Sequence, residues 1–419
     1  MGAHWHPFSD MGAVERDGEF VLTRGEGVHV WDRDGNRYLD ATAGLWFALV
    51  GHGRTELADA AAAQMRELAA YSTFGDNTSP PTNELADRLA GIAPVADSKI
   101  FFTSGGSDSI DTAAKLARRY WHERGKPQRT IILGRQKAYH GTNVAGTALA
   151  GIPGNREGFG ELMPDVATVA WDDPADLRKE IETIGVERVA AFFCEPVIGS
   201  GGVYPPPEGY LAEVRQICRD LDVLFVADEV VTGFGRIGGA WFASTRFDLE
   251  PDLMTVAKGL TSGALPMGAV FVAPRVAEPF FARDAGVWWR HGYTYSGHPT
   301  AAAVALANLD LIESMGLVEE ARRLESVMAT TLAPLERHGL VAEVRRGTGA
   351  LAAVQLEDAA RAPQLVKVLR RHGVAVRAVG AGALQISPAL VMTDAEVAEL
   401  AERIGAALDD LAAGRRGAS

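Results

Sequence analysis

Cysteine is scarce in this chain: only Cys194 and Cys218 occur in 419 residues. Cys194 sits in the apolar run "AAFFCEP" and Cys218 in the helical stretch "LAEVRQICRDLD". Both read as buried thiols of a reducing compartment, so a disulfide framework is set aside and a cytoplasmic location is expected. Basic charge is also in deficit. Lysine and arginine number 41 against 54 acidic residues, a formal net charge of −13. That balance argues against a nucleic-acid partner or an anionic membrane surface, although not against a local basic pocket. No apolar run approaches the length of a membrane span. The N-terminal "MGAHWHPFSDMG" has neither the basic region nor the apolar stretch of a signal peptide. His6 also stands where a myristoylation pattern needs Ser or Thr. His4 and His6 form an H-x-H pair with no further ligand nearby, so no metal is expected. Repeats and low-complexity linkers are missing too.

What remains is long enough for a large core and a second, smaller unit. Residues 19–40 alternate apolar and polar positions around Asp34-Gly35, the pattern of a β-meander. Helical spacing follows in "ELADAAAAQMRELAA" and "TNELADRLAGIA". Strands are then predicted at "KIFFTS", "RTIILG", "VAAFFCE", "VLFVADE", "LMTVAKG" and "GAVFVA". The segments between the first four are long enough for helical crossovers. This rhythm predicts an α/β fold, a mostly parallel sheet with helices on both faces. After residue 300 comes a long helical stretch, then short strands, then a helix opening on the capping-box pair Thr393 and Glu396. The expected organisation is a large domain over 51–299 and a smaller α+β domain over 300–419. Residues 1–50, with the meander, are expected to join the smaller one.

In open α/β sheets, ligands bind beyond the carboxyl ends of the strands. Four features fall at such ends. "TSGGSDSIDTAAK" runs a strand into Ser104-Gly105-Gly106-Ser107, with a helix expected from about Asp108. A glycine-rich helix N-terminus can hold an anion, though many such turns bind nothing. "AYHGTN" puts Tyr139 and His140 just past another strand, where an aromatic could wall a flat pocket or simply be buried. "VLFVADEVV" delivers Asp228 from a strand that reads as fully buried. A buried carboxylate is costly unless a cation or hydrogen-bond donors meet it. "LMTVAKGL" ends a fourth strand in Lys258, and Gly259 lets backbone and ligand come close.

One cofactor asks for all four. Pyridoxal phosphate carries an aldehyde that condenses with lysine, a ring nitrogen that wants a carboxylate, a ring face and a phosphate. The cation facing Asp228 would be the protonated ring nitrogen, whose pKa an adjacent carboxylate raises. The protonated ring then serves as the electron sink for a carbanion next to the substrate nitrogen.

At this point the sequence resembles the class III aminotransferases, of the fold-type I pyridoxal-phosphate family. The likeness covers nearly the whole chain. It runs through "GVHVWDRDGNRYLDATAGLW", "TSGGSDSIDTAAK", "AYHGT", "CEPVIGSGGVYPPPEGYL", "ADEVVTGFGRIG", "PDLMTVAKGL", "YTYSGHPTAAA" and "RRGTGAL". The resemblance implies that Lys258 is the cofactor-linking lysine and Asp228 the partner of the ring nitrogen. It places Val230 on one ring face and Tyr139 on the other, with Gly106 and Ser107 at the phosphate. Thr294 of "YTYSGHP" would reach the phosphate of a neighbouring subunit, in a homodimer or a dimer of dimers. Within the family the chain is similar to the ω-amino acid and amine:pyruvate transaminases. Ornithine and γ-aminobutyrate enzymes typically read D-E-x-Q-T-G, where this chain has Val231. Trp46 matches a substrate-pocket tryptophan of the pyruvate-linked group, and Arg377 its mobile carboxylate-binding arginine. Two departures stand out. The usual Ser-Glu-Ala-Asn after the phosphate glycine is Ser107-Asp108-Ser109-Ile110, and Thr73 occupies a place that is often aromatic.

The implied activity is a two-half reaction. An ω-amino acid or primary amine gives up its amino group, and a keto acid, pyruvate by analogy, receives it. An amino-acid racemase, a dialkylglycine decarboxylase or a semialdehyde aminomutase would share the fold and the lysine, and the motifs alone do not separate them. A nicotinamide-dependent oxidoreductase is disfavoured, because no Gly-x-Gly-x-x-Gly follows an early strand with a later acid.

Overall fold

The computed structural model describes residues 3–284 and 286–414. Its centre is a seven-stranded sheet. In spatial order the strands are Lys99–Thr103, Gly268–Val272, Leu253–Val256, Leu224–Asp228, Val189–Cys194, Ile131–Arg135 and Val166–Val169. Gly268–Val272 is antiparallel to both neighbours, and the other pairings are parallel. All the strands except Gly268–Val272 therefore end on the same side. The three central runs Val189–Cys194, Leu224–Asp228 and Leu253–Val256 are buried at every position. Both faces are covered by helices, so these strands read as continuous apolar runs rather than alternating ones. The edge strand Val166–Val169 escapes that signal because it is mostly half-exposed.

The helix Gly106–Glu123 packs on Leu253–Val256 and Gly268–Val272. Its buried stripe contains Ile110, Ala113, Ala114, Ala117, Tyr120 and Trp121, at helical spacing. It starts two residues before the expected Asp108. Extended Gly105 precedes the first turn, and the Ser109 hydroxyl ties that turn to the carbonyls of Gly105 and Val256.

The meander forms as expected from Leu22–Glu26, His29–Asp32 and Arg37–Asp40, and Val374–Ala375 adds a parallel fourth strand to it. A separate antiparallel sheet holds Val341–Arg345, Ala352–Leu356, Ala383–Ile386 and Ala378–Val379. The long helical stretch after residue 299 is two helices, Pro299–Ser314 and Leu317–Thr331, with a 3-10 turn behind them. The break falls at Gly316, whose φ of 62° is left-handed and open to glycine at little cost. Pro299–Ser314 packs on Thr55–Leu68 and Pro80–Gly91. The helix that opens the smaller expected unit thus lies against helices of the larger one. Among the described residues no single helix is long and apolar enough to cross a membrane.

Candidate active site

The shared strand ends open onto a cavity of about 330 Å³. Six residues named from the sequence line it together: Gly106, Ser107, Tyr139, Asp228, Val230 and Lys258. Asp228 ends the buried strand Leu224–Asp228 and is 5% exposed. Its Oδ1 accepts from the Val230 N–H at 3.1 Å and the Thr255 hydroxyl at 3.3 Å. Its Oδ2 lies 2.8 Å from His140 Nδ1. Lys258 follows the next strand, where the chain leaves extended geometry for a short 3-10 turn, Lys258–Leu260. Asn308 braces that turn by donating to the carbonyls of Gly259 and Leu260. Part of the Lys258 side chain faces the open cavity, but its amine is enclosed by protein. Burial pushes its pKa down to about 8, against the opposing pull of Asp228 and Glu195.

Gly106 and Ser107 occupy the first turn of the 18-residue helix, where N–H groups have no intrahelical partner. Ser107 Oγ accepts from the Thr142 N–H at 3.0 Å, which joins this turn to the loop after Tyr139. A Cβ on Gly106 would come within 3.0 Å of Val230 Cγ1, so the space between cradle and valine exists only because residue 106 lacks a side chain.

Arg377 lies beside this cavity. Its guanidinium carbon is 5.9 Å from the Trp46 ring centre, and its Nε donates to Gln385 Oε1 at 2.6 Å. Gln385 in turn donates to Ser387 Oγ at 2.6 Å. Burial pulls the arginine pKa down to about 10, with the Tyr139 hydroxyl acting against it. Trp46 itself is 1% exposed and packs with Val197, Val231 and Leu351 instead of lining the cavity. The residue that faces the cavity is its neighbour Phe47. Thr294 is exposed and lies outside the cavity lining of its own chain.

A lysine and a carboxylate at adjacent strand ends, a helix N-terminus and a tyrosine now stand around one space. The sequence profile of the family described as aminotransferase class-III matches residues 12–408. The chain is a class III aminotransferase. It is 39% identical to a putrescine–pyruvate aminotransferase of Pseudomonas aeruginosa, over 98% of this chain and 95% of that one. It is 36% identical to a β-alanine–pyruvate aminotransferase of the same organism, over 98% and 96%. Among solved structures, an (S)-enantioselective ω-transaminase from Thermomicrobium roseum superposes with a TM-score of 0.92 at 39% identity, covering 97% of this chain and 96% of that one. The ω-transaminase of Pseudomonas jessenii in complex with PMP gives 0.93 at 34%, covering 99% and 98%. The expected fold type I architecture is thereby established, and so is the transaminase class of enzyme.

Class III aminotransferases depend on pyridoxal phosphate, and the residues present fit that group. The helix terminus with its missing Cβ suits a phosphate, Val230 and Tyr139 suit a flat ring, and Asp228 offers an acceptor deep in the sheet. Sequence reading gave no role to three residues of this aminotransferase. Glu195 lines the cavity and accepts from the N–H groups of Tyr139 at 2.8 Å and Gly199 at 2.9 Å. It follows a buried strand as Asp228 ends one, the same signal. Burial raises its pKa, against the pull of His140. His140 was noticed only as the neighbour of Tyr139, and no local pattern points it at Asp228, 88 positions away. Phe47 was overshadowed by Trp46.

Proposed function

We propose that this transaminase carries an amino group from an ω-amino acid or primary amine to pyruvate, using pyridoxal phosphate held by Lys258, Asp228, Gly106, Ser107, Tyr139 and Val230. When bound, the cofactor supplies an aldehyde for amines and a ring that spreads the electron pair left on the donor carbon. Lys258 Nζ is the chain's proton carrier: with a pKa near 8 it can take the proton from the donor carbon and return it elsewhere. A base matched in this way to neutral pH contributes roughly 10²–10⁴-fold. Asp228, aligned by His140, Val230 N–H and Thr255, holds positive charge on the ring nitrogen. Arg377 receives the carboxylate of the keto acid, and Trp46 supports it from below.

The observation that carries the acceptor reading is the buried guanidinium of Arg377, which lies outside the cavity lining but interacts electrostatically with Tyr139 and Lys258 of its wall. The two Pseudomonas aeruginosa relatives named above are a putrescine–pyruvate and a β-alanine–pyruvate aminotransferase. Nothing favours the racemase, decarboxylase or aminomutase readings. The test is a panel of β-alanine, γ-aminobutyrate, putrescine and 1-phenylethylamine with pyruvate, scored by alanine formed. Alanine from at least one donor supports the reading, and none from any donor refutes it.

We further propose a homodimer, or a dimer of dimers, in which Thr294 serves the neighbour's phosphate. Support comes from Thr294 standing exposed and away from its own cavity, next to the exposed Tyr295. Light scattering should give at least twice the chain mass. A cytoplasmic location is the matching proposal, supported by two buried free cysteines.

A further inference from the structure

The segment that carries Thr294 is fastened at both ends. At one end His291 sits over the helix Gly106–Glu123. Its Nδ1 is 2.8 Å from Lys115 Nζ, and its Nε2 is 2.8 Å from Thr112 Oγ1. An ammonium group only donates, so Nδ1 accepts and the ring proton belongs on Nε2. Nε2–H donates to Thr112, the Thr112 hydroxyl passes on to Tyr293 Oη at 3.3 Å, and Tyr293 donates to the Asp108 carbonyl at 3.0 Å. Each proton in this chain has one direction. The His291 ring also stacks on Phe101 and meets Trp289 and Tyr293 edge-on. Burial and Lys115 together push its pKa down to about 4, with Asp108 opposing, which leaves Nδ1 free to accept.

At the other end the carbonyls of Ser296 and Gly297 accept the hydroxyls of Thr73 at 2.8 Å and Thr82 at 2.7 Å. Ser296 Oγ takes the Tyr293 N–H at 3.1 Å. Thr294 and Tyr295 project between these anchors, and Tyr295 is 65% exposed. Two fixed ends and a bare middle suit a finger aimed at something outside this chain.

We infer that His291 and Tyr293 are positioning residues that hold Thr294 toward the cofactor phosphate of a second copy, an inference that rests on the homodimer proposed above. The direction of action follows from what else holds each part. The cradle of the same chain has ties of its own. Ser107 binds the Thr142 N–H, Asp108 accepts from Asn143 Nδ2 at 3.0 Å, and Ser109 is bonded to Thr103 and Val256. Losing the clamp leaves those bonds in place and frees only the finger.

Mixed dimers test this. Two differently tagged copies are co-expressed in two arrangements. In the first, Tyr293→Phe shares a subunit with Lys258→Ala, and the partner is wild type. In the second, Tyr293→Phe lies in the subunit that keeps Lys258, and the partner carries Lys258→Ala alone. Borohydride fixes pyridoxal phosphate on Lys258 only, so fixed label against cofactor concentration reads a single site. The apparent Kd is expected to rise roughly tenfold in the first arrangement, the equivalent of one hydrogen bond, and to stay put in the second. His291→Phe should act in the same direction. His291→Gln, which can accept from Lys115 and donate to Thr112, should restore most of the affinity. Equal weakening in both arrangements, weakening in the second alone, or no change in either overturns the clamp. A chain that scatters as a monomer overturns the dimer reading as well.

Discussion

His140 Nδ1 and Asp228 Oδ2 meet at 2.8 Å, with His140 1% and Asp228 5% exposed. A carboxylate only accepts, so the histidine donates there, and its other nitrogen is buried without a hydrogen-bond partner among the described residues. Both Asp228 oxygens are thus fixed in direction by donors from three different elements. Asp228→Asn keeps the shape and removes the charge. Turnover should fall at least roughly a hundredfold, the lower end of what a lost acid–base function costs. The thermal melt should shift by only a few degrees, because the amide can still accept from Val230 and Thr255. Initial rates of alanine formation check this, and activity within threefold of wild type refutes the electron-sink role.

Lys258 makes a prediction about stability. Its folded pKa is about 8 against the ordinary 10.5, so the folded chain holds that proton less tightly than the unfolded one. The penalty is present in full below about pH 8, shrinks as pH rises toward 10.5, and is gone above it. Lys258→Met should therefore stabilise the cofactor-free protein near pH 7 by roughly 1–3 kcal/mol, discounted because part of the lysine faces the open cavity. The gain should fade when melts are repeated near pH 10. An unchanged or lowered melting temperature at pH 7 would refute it. Capture of pyridoxal phosphate by the cofactor-free wild type should speed up with pH, with a midpoint near 8.

The strand ends were legible because they are local. A run such as "VLFVADE" states its burial and its terminal acid in seven consecutive letters. The same holds for "LMTVAKG" and for the glycine-serine turn before the long helix. Pairings across the chain were not legible. Nothing near Asp228 names His140, and nothing near Thr294 names Thr112 or Lys115. The edge strand Val166–Val169 was missed because a half-exposed strand loses the apolar run that marks a covered one. The break at Gly316 was missed because helical spacing continues on both sides of it. The family resemblance supplied roles for Thr294 and Arg377 that spacing alone could not.

The loop that delivers Phe47 depends on Asp40. That carboxylate accepts from the N–H groups of Thr42 at 2.9 Å and Gly44 at 2.7 Å, and from His52 Nε2 at 2.8 Å. Within the loop Ala43 and Trp46 hold φ of 46° and 71°, a region costly for side-chain-bearing residues. Burial works against ionisation of Asp40, yet these donors outweigh it and hold its pKa below the ordinary 3.8. The stability it contributes is complete above that value and is lost as pH falls through the folded pKa. Asp40→Ala should cost roughly 1–3 kcal/mol from stranded donors. It should raise KM for bulky amines more than it lowers kcat, since Trp46 and Phe47 would lose their set positions. A fall in kcat with KM unchanged would show that the loop shapes the reacting end instead of the substrate pocket.

In the role proposed for it, Arg377 faces two demands. The keto acid brings a carboxylate to the pocket, whereas a simple amine donor brings none at its reacting end. A cation that enters for one and withdraws for the other meets both. Arginine suits this because its planar fork matches a carboxylate and its charge persists, here even with burial pulling the pKa to about 10. Its resting place is defined by Gln385, and the following residues Gly380 and Gly382 have φ of 52° and 86°, a backbone that glycine adopts at little cost. Arg377→Ala should raise KM for pyruvate and for carboxylated donors by roughly tenfold to a hundredfold, the range of a lost charged hydrogen bond. An uncharged amine should react nearly as fast as with wild type in the first half-reaction, followed as a single turnover by absorbance. Equal losses for charged and uncharged donors would make Arg377 a support of the fold through Gln385 and Trp46. No loss with either would place the carboxylate site elsewhere.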